Sequence, residues 1–100
     1  MDRINLRNDL SEEHTVVNIV AQDLQGLLYL ISRGLSRCGL DIHVAKVATW
    51  RGLCENNFYV TAPTGSQIPE RDLPVWKGLI AHVLSDVGNE SPNSAPKRQS

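Results

Sequence analysis

The chain has 100 residues, 41% of them hydrophobic, and ten basic against eleven acidic residues give a formal net charge of −1. That length holds one compact core and is too short for two, and the balanced charge supplies no basic field to collect nucleic acid or anionic lipid. No apolar run approaches the length of a membrane span and the amino end carries no charged-then-apolar leader, so no nucleic acid partner, no membrane partner and a cytoplasmic location are expected.

Arg3 to Arg7 reads RINLR, with Ile4 and Leu6 on one face, and predicts a short half-buried strand. The polar NDLSEE that follows predicts a loop, with the next strand returning beside the first. From His14 to Ala21 β-branched residues dominate; Val17, Ile19 and Ala21 should face the core, leaving Val16 and Val20 on the other side. Asp23 reads as a helix cap, its side chain reaching the N–H of Gln25 or Gly26. A helix from about Gln25 to Cys38 then carries one apolar stripe of Leu27, Leu28, Ile31, Leu35 and Cys38. Gly34, inside it, implies a close approach to the sheet, and Gly39 followed by Leu40 ends it with a left-handed cap.

Leu40 to Trp50 reads as a strand of mixed parity. Ala45, Val47 and Thr49 share a face but Ile42 belongs to the opposite register, which predicts a bulge near His43 or Val44. Arg51 to Asn56 is expected as turn, and Asn57 to Thr61 as strand with Phe58 and Val60 inward and Tyr59 outward. A second helix should start between Pro69 and Pro74 and bury Leu73, Trp76, Leu79, Ile80, Val83, Leu84 and Val87. One domain over 2–87, followed by a polar, proline-bearing disordered tail over 88–100, completes the expectation. The order β-β-α-β-β-α predicts an α+β two-layer sandwich: a four-stranded antiparallel sheet with two helices on one face, the fourth strand inserted between the second and third.

A strand that turns through Asp23 and Gly26 into a helix collects N–H groups at a positive helix end beside a carboxylate. A zwitterionic amino acid needs both: donors at Gln25, Gly26 and Leu27 for its carboxylate, and Asp23 as acceptor for its ammonium. The same residues also make sense with no ligand, Asp23 capping and Gly26 turning. Cys38 and Cys54 have no metal-ligand spacing, and His14, His43 and His82 fall on three different elements and read as surface or edge residues. No nucleophile, metal or paired-carboxylate constellation is present, so no catalytic residue, metal or cofactor is expected. Tyr59 and Trp50 on an open sheet face would be too few aromatics, in surroundings too poor in charge, for stacking RNA bases.

Three segments in order, TVVNIVAQDLQGLLYLISRGL, GLDIHVAKVATW and NNFYVTAPTG, resemble the ACT domain, a small amino-acid-binding regulatory module, in the type repeated at the carboxyl end of PII uridylyltransferases and related ACT-repeat proteins. The resemblance covers about Arg3 to Leu84 and implies a ferredoxin-like fold, permuted so that RINLR supplies the edge strand before the core unit. It also implies that a neighbouring ACT domain or a second copy in a homodimer provides the other wall of the site through Val44 to Val47, with Val44 and Ala45 at the ligand. Glutamine is the ligand that the resemblance suggests first, and nitrogen metabolism its setting. The chain departs from the family pattern where Leu24 and Gln25 replace the usual Arg-Pro after the aspartate, and where Asn56 replaces an aspartate ahead of Phe58. A different reading is a structural association domain that binds no ligand and pairs through Val16, Val20 and Tyr59.

Overall fold

Strands with one apolar face and helices with one apolar stripe can hide both only by lying on each other. The computed structural model describes residues 3–22 and 25–89, the last four by backbone alone. It runs β1 (Arg3–Arg7), β2 (Thr15–Gln22), α1 (Leu27–Arg37), β3 (Asp41–Trp50), β4 (Leu53–Thr61) and α2 (Leu73–Asn89), with a 3-10 turn at Glu70–Asp72 leading into α2. The strands form one sheet in the order β1-β2-β4-β3, every neighbouring pair antiparallel. Hence β2 and β3 run parallel with β4 between them, which is the ferredoxin-like α+β arrangement in the permuted order.

The core lies between sheet and helices. Ile4, Val17, Ile19, Ala21, Phe58 and Val60 face Leu27, Ile31, Leu35, Ile80 and Leu84, and Ile68 closes the end from the loop before α2. Tyr59 points outward, and a bulge between Ile42 and Val44 reverses the parity of β3, so that Ile42 packs on the core while Ala45 still shares a face with Val47 and Thr49.

The structure corrects several expectations. Helix α1 starts at Leu27 with Gly26 as its N-cap, held at φ 78° with no side-chain cap bond, while Asp23, the expected cap, lies outside the described residues. Gly26 adopts a left-handed conformation that a side chain would resist. Leu28 does not join the buried stripe and is 44% exposed. At the other end Gly39 N donates to Ser36 O at 2.9 Å and Leu40 N to Leu35 O at 3.2 Å, the paired bonds of a Schellman ending, with Leu40 buried behind it. Gly34 does mark a close approach, to α2 and not to the sheet: a methyl there would overlap Leu84 Cδ2.

Residues 53–56 are strand, not turn, because Arg51 and Gly52, both at positive φ, reverse the chain in two residues. In α2 Leu79 is 42% exposed and shares an outer stripe with exposed Val75, four residues earlier, so the apolar residues of this helix go round more than its buried arc. Val16 is buried although it faces away from the helices, flanked by Arg7 and Tyr59 in register. Helix α2 runs one residue past Gly88, the expected end; the side chain of Val87, expected on the buried face, is not among those described, and 90–100 of the expected tail lie outside the described residues.

Two loops at one end of the sheet are tied together by the buried Thr15 and the half-buried Asn8 and Gln67. Thr15 Oγ1 donates to Asn8 Oδ1 at 2.6 Å and accepts from Ile68 N at 2.9 Å, while Asn8 Nδ2 donates to Ile68 O at 2.8 Å. Gln67 Nε2 donates to the carbonyls of Asn8, Ser11 and His14 at 3.0, 2.7 and 3.1 Å. These bonds satisfy backbone groups that the turns leave without partners.

Two outcomes are expected in denaturant titrations. Gly34→Val forces the methyls of the new side chain into Leu84 and Val83 and lowers stability by about 1–3 kcal/mol. Gln67→Ala removes the donor shared by three carbonyls and lowers it by about 1–2 kcal/mol; an unchanged midpoint in either variant contradicts the packing described.

Candidate functional site

The carboxyl end of β2 aims the chain at the start of α1. Gln22 is level with Leu53 and Trp50 across the sheet, so β2 ends at the β3–β4 hairpin end of the sheet, with Asp23 and Leu24 between it and Gln25 in the chain. Gln25 and Gly26 are exposed and Leu27 is buried. Leu27 therefore spends its side chain on the core and has only its backbone N–H to offer a ligand. The first bond within the helix runs from Leu30 N to Gly26 O at 3.0 Å, and the N–H groups ahead of it have no acceptor inside the helix by its geometry. Asp23, the expected acceptor, lies outside the described residues.

Val44 and Ala45 lie elsewhere. Val44 is level with Tyr59 and Val16, six residues before Gln22 on β2, which at the rise of a strand is about 20 Å away. One chain therefore does not bring its two predicted half-sites together. Val44 projects on the open face and Ala45 on the helix face, and both are exposed.

That exposure belongs to the whole strand. Beyond its bulge β3 is exposed on both faces, with Val44 and Val47 each 45% and Trp50 66% exposed, and in the described sheet it pairs with β4 alone. On the helix face, α1 turns Gly34 toward α2. Leu28, with exposed Val47 on the same layer, then falls on the opposite flank of α1, toward β3. An apolar edge, paired among the described residues with β4 alone, thus runs beside the start of α1.

Behind this edge sits the departure at residue 56. Asn56 is wholly buried between Ile19 and Val47 in register. Its Nδ2 donates to Ile19 O at 3.2 Å and Cys54 O at 3.4 Å, and its Oδ1 faces Cys54 Sγ at 3.6 Å, a weak thiol contact. The carboxamide suits two carbonyl neighbours; a carboxylate would not. Burial pushes the Cys38 thiol, at the other end of α1, above its usual range. On the open face Asn18 Nδ2 donates to Glu55 Oε2 at 2.9 Å and Asn57 Oδ1 at 2.8 Å, a polar centre that leaves no continuous apolar sheet face. Arg7 and Asp9 pair at 2.7 Å, which lowers the Asp9 carboxyl below its ordinary range.

Residues 3–84 match the family described as ACR9-like, ACT-like domain. The chain belongs to the ACT-like domain family. It is similar to the bifunctional uridylyltransferase/uridylyl-removing enzymes of Rhodopseudomonas palustris, 33% identical over 85 residues, and of Bradyrhizobium sp. strain BTAi1, 34% identical over 85 residues, each match covering 83% of this chain and 9% of the relative. That of Azospirillum brasilense is 32% identical over 85 residues, covering 84% of the chain and 9% of the relative. The chain thus spans about 9% of the length of the relatives it matches. No solved structure matches it. Among the described residues no helix is long and apolar enough to cross a membrane.

The ACT-like chain also holds a contact that its sequence did not announce. His14 and His43, 29 positions apart, meet with ring centroids 4.8 Å apart, because they enter two parallel strands at the same level on either side of β4. Only strand order reveals that.

Asn56→Asp tests the interior behind the edge. At pH 7 the variant should lose about 3 kcal/mol, since a buried carboxylate would face two carbonyls. Its folded-state pKa should lie above the unfolded value near 3.9. The folded form then holds the proton more tightly, so the deficit shrinks as pH falls through the folded pKa. Equal stability of variant and parent at pH 7 in denaturant titrations would remove this account.

Proposed function

We propose that the chain is a regulatory ACT module, not itself catalytic, that binds a small amino acid between the start of α1 in one unit and the edge strand β3 of a second ACT unit. The observation that carries this reading is the β3 edge. It is long, apolar and, among the described residues, paired with β4 alone, and its carboxyl end lies beside the helix-start N–H groups, which stand about 20 Å from Val44 and Ala45 of the same chain. An edge of this kind is a template for another strand, and a second unit would bring the missing wall. Asp23 would then accept from the ligand ammonium, and Gln25, Gly26 and Leu27 would donate to its carboxylate, with Val44 and Ala45 of the other unit closing the site. Glutamine is the first candidate. Similarity to uridylyltransferases supports a place in a longer protein of that type, where ligand binding would favour one arrangement of paired units over another.

A second reading, association without a ligand, draws support from the same edge, which can pair with no small molecule present, and from the Leu24–Gln25 replacement in the turn. The two separate in one experiment. In a thermal-shift screen against the twenty amino acids, glutamine at 100 times its Kd should add about 2.7 kcal/mol to a species that light scattering shows to be a dimer. Asp23→Ala should abolish that response and leave the dimer intact, whereas Val47→Glu should give a folded monomer with no response. A dimer indifferent to every amino acid supports association alone, and a monomeric parent overturns the proposed edge pairing.

A further inference from the structure

His14 stands at the entry of β2 and His43 is the residue that the bulge adds to β3. Because these strands run parallel on either side of β4, the two imidazoles meet above the same end of the sheet, centroids 4.8 Å apart and planes inclined at 59°. A ring nitrogen binds a zinc-like ion at about 2.1 Å and the ring centre lies about 1.2 Å behind it, so two imidazoles adjacent on one ion hold their centroids about 4.7–5.4 Å apart. The observed centroid spacing falls in that range.

The remaining ring nitrogens have partners suited to an outer shell. His43 Nε2 is 2.9 Å from Thr61 Oγ1 and His14 Nδ1 is 3.4 Å from Ser11 Oγ. With His43 Nε2 as N–H donor to Thr61 Oγ1, His43 Nδ1 keeps its lone pair. Ser11 Oγ already accepts from Glu13 N at 3.3 Å and His14 N at 3.2 Å and so donates its own hydrogen to His14 Nδ1. His14 binds an ion through Nε2 once its ring proton moves to Nδ1 and the Ser11 hydroxyl turns away. His43 is exposed and His14 half-buried, so an ion has access from solvent. Bulges commonly re-aim one side chain out of the regular alternation, and here the residue re-aimed is a histidine.

We propose that His14 and His43 form a two-imidazole site for a divalent ion of the zinc and copper class. Neutral nitrogen donors suit these ions and not magnesium or calcium. Among the described residues no group of three or more His, Cys, Asp or Glu converges, so water completes the coordination. The ion spans β4 and fastens the amino end of β3, the strand that forms the exposed edge, to the entry of β2. Bound to the folded form alone, it raises the temperature of unfolding.

The test uses the whole chain with zinc chloride as the probe, followed by isothermal titration and thermal melts, with EDTA added at the end. One zinc per chain, a saturable rise in Tm and its reversal by EDTA are expected. His14→Gln and His43→Gln should each weaken zinc binding at least about 10-fold, and Thr61→Val, which removes an outer-shell acceptor, about 10-fold. His82→Gln, on α2, should change nothing. Circular dichroism confirms that each variant is folded, and for Thr61→Val, whose side chain is buried, an unfolded protein shifts the decision to the two histidine variants. No saturable binding below millimolar zinc, an equal response to magnesium, or retention of affinity in both folded histidine variants overturns the site.

Discussion

A parallel pair of strands joined through a helix leaves a gap one strand wide, and in this chain β4 fills it by hydrogen bonding antiparallel to both neighbours. Most of the remaining structure follows from that insertion. β4 becomes central and carries the wholly buried Phe58, Val60 and Asn56, while β3 is pushed to the edge. Among the described residues β3 has a strand on one side only, and its side chains past the bulge are exposed on both faces. The apolar edge and the meeting of His14 with His43 have the same origin.

The packing that holds this arrangement is close where the two helices meet and polar where the loops do. Gly34 lets α1 and α2 approach until Leu84 occupies the space of a missing side chain, and α2 in turn covers the β1 half of the sheet. With the helices drawn together over that half, Val47 stays uncovered on the other. At the loop end, Thr15, Asn8 and Gln67 consume backbone groups of two segments about 50 residues apart in sequence. The edge strand therefore projects from a rigid frame, which suits a surface whose task is to bring a second unit into register.

Period and turn chemistry made the elements legible. The alternation of RINLR and TVVNIVAQ, the stripe of α1, the glycine that ends it and the parity change in β3 all lie within a few residues of one another, and local sterics decide them. The two-residue turn at Arg51 and Gly52 is hidden in the sequence because arginine is an unusual occupant of a left-handed position, so the whole stretch from Arg51 to Asn56 reads as turn. Asn56 can sit buried in a strand because its amide finds Ile19 O on β2 and Cys54 O on its own strand. Leu79 and Leu28 fit their helical periods and are nevertheless exposed, since a period says which residues share a face and not how wide the contact is.

Of the candidate site, the sequence alone determined the half that is local: a turn with Gly26 opening a helix whose first N–H groups face outward, because caps and dihedral preferences act over a few residues. It also determined the family, through three segments whose order and spacing survive in residues 3–84. Only the tertiary structure decided that Val44 and Ala45 stand about 20 Å from that turn, that β3 is the edge, and that His14 and His43 touch. These depend on which strand lies beside which, a choice made by burial of the whole sheet against both helices, and no window of local sequence contains it.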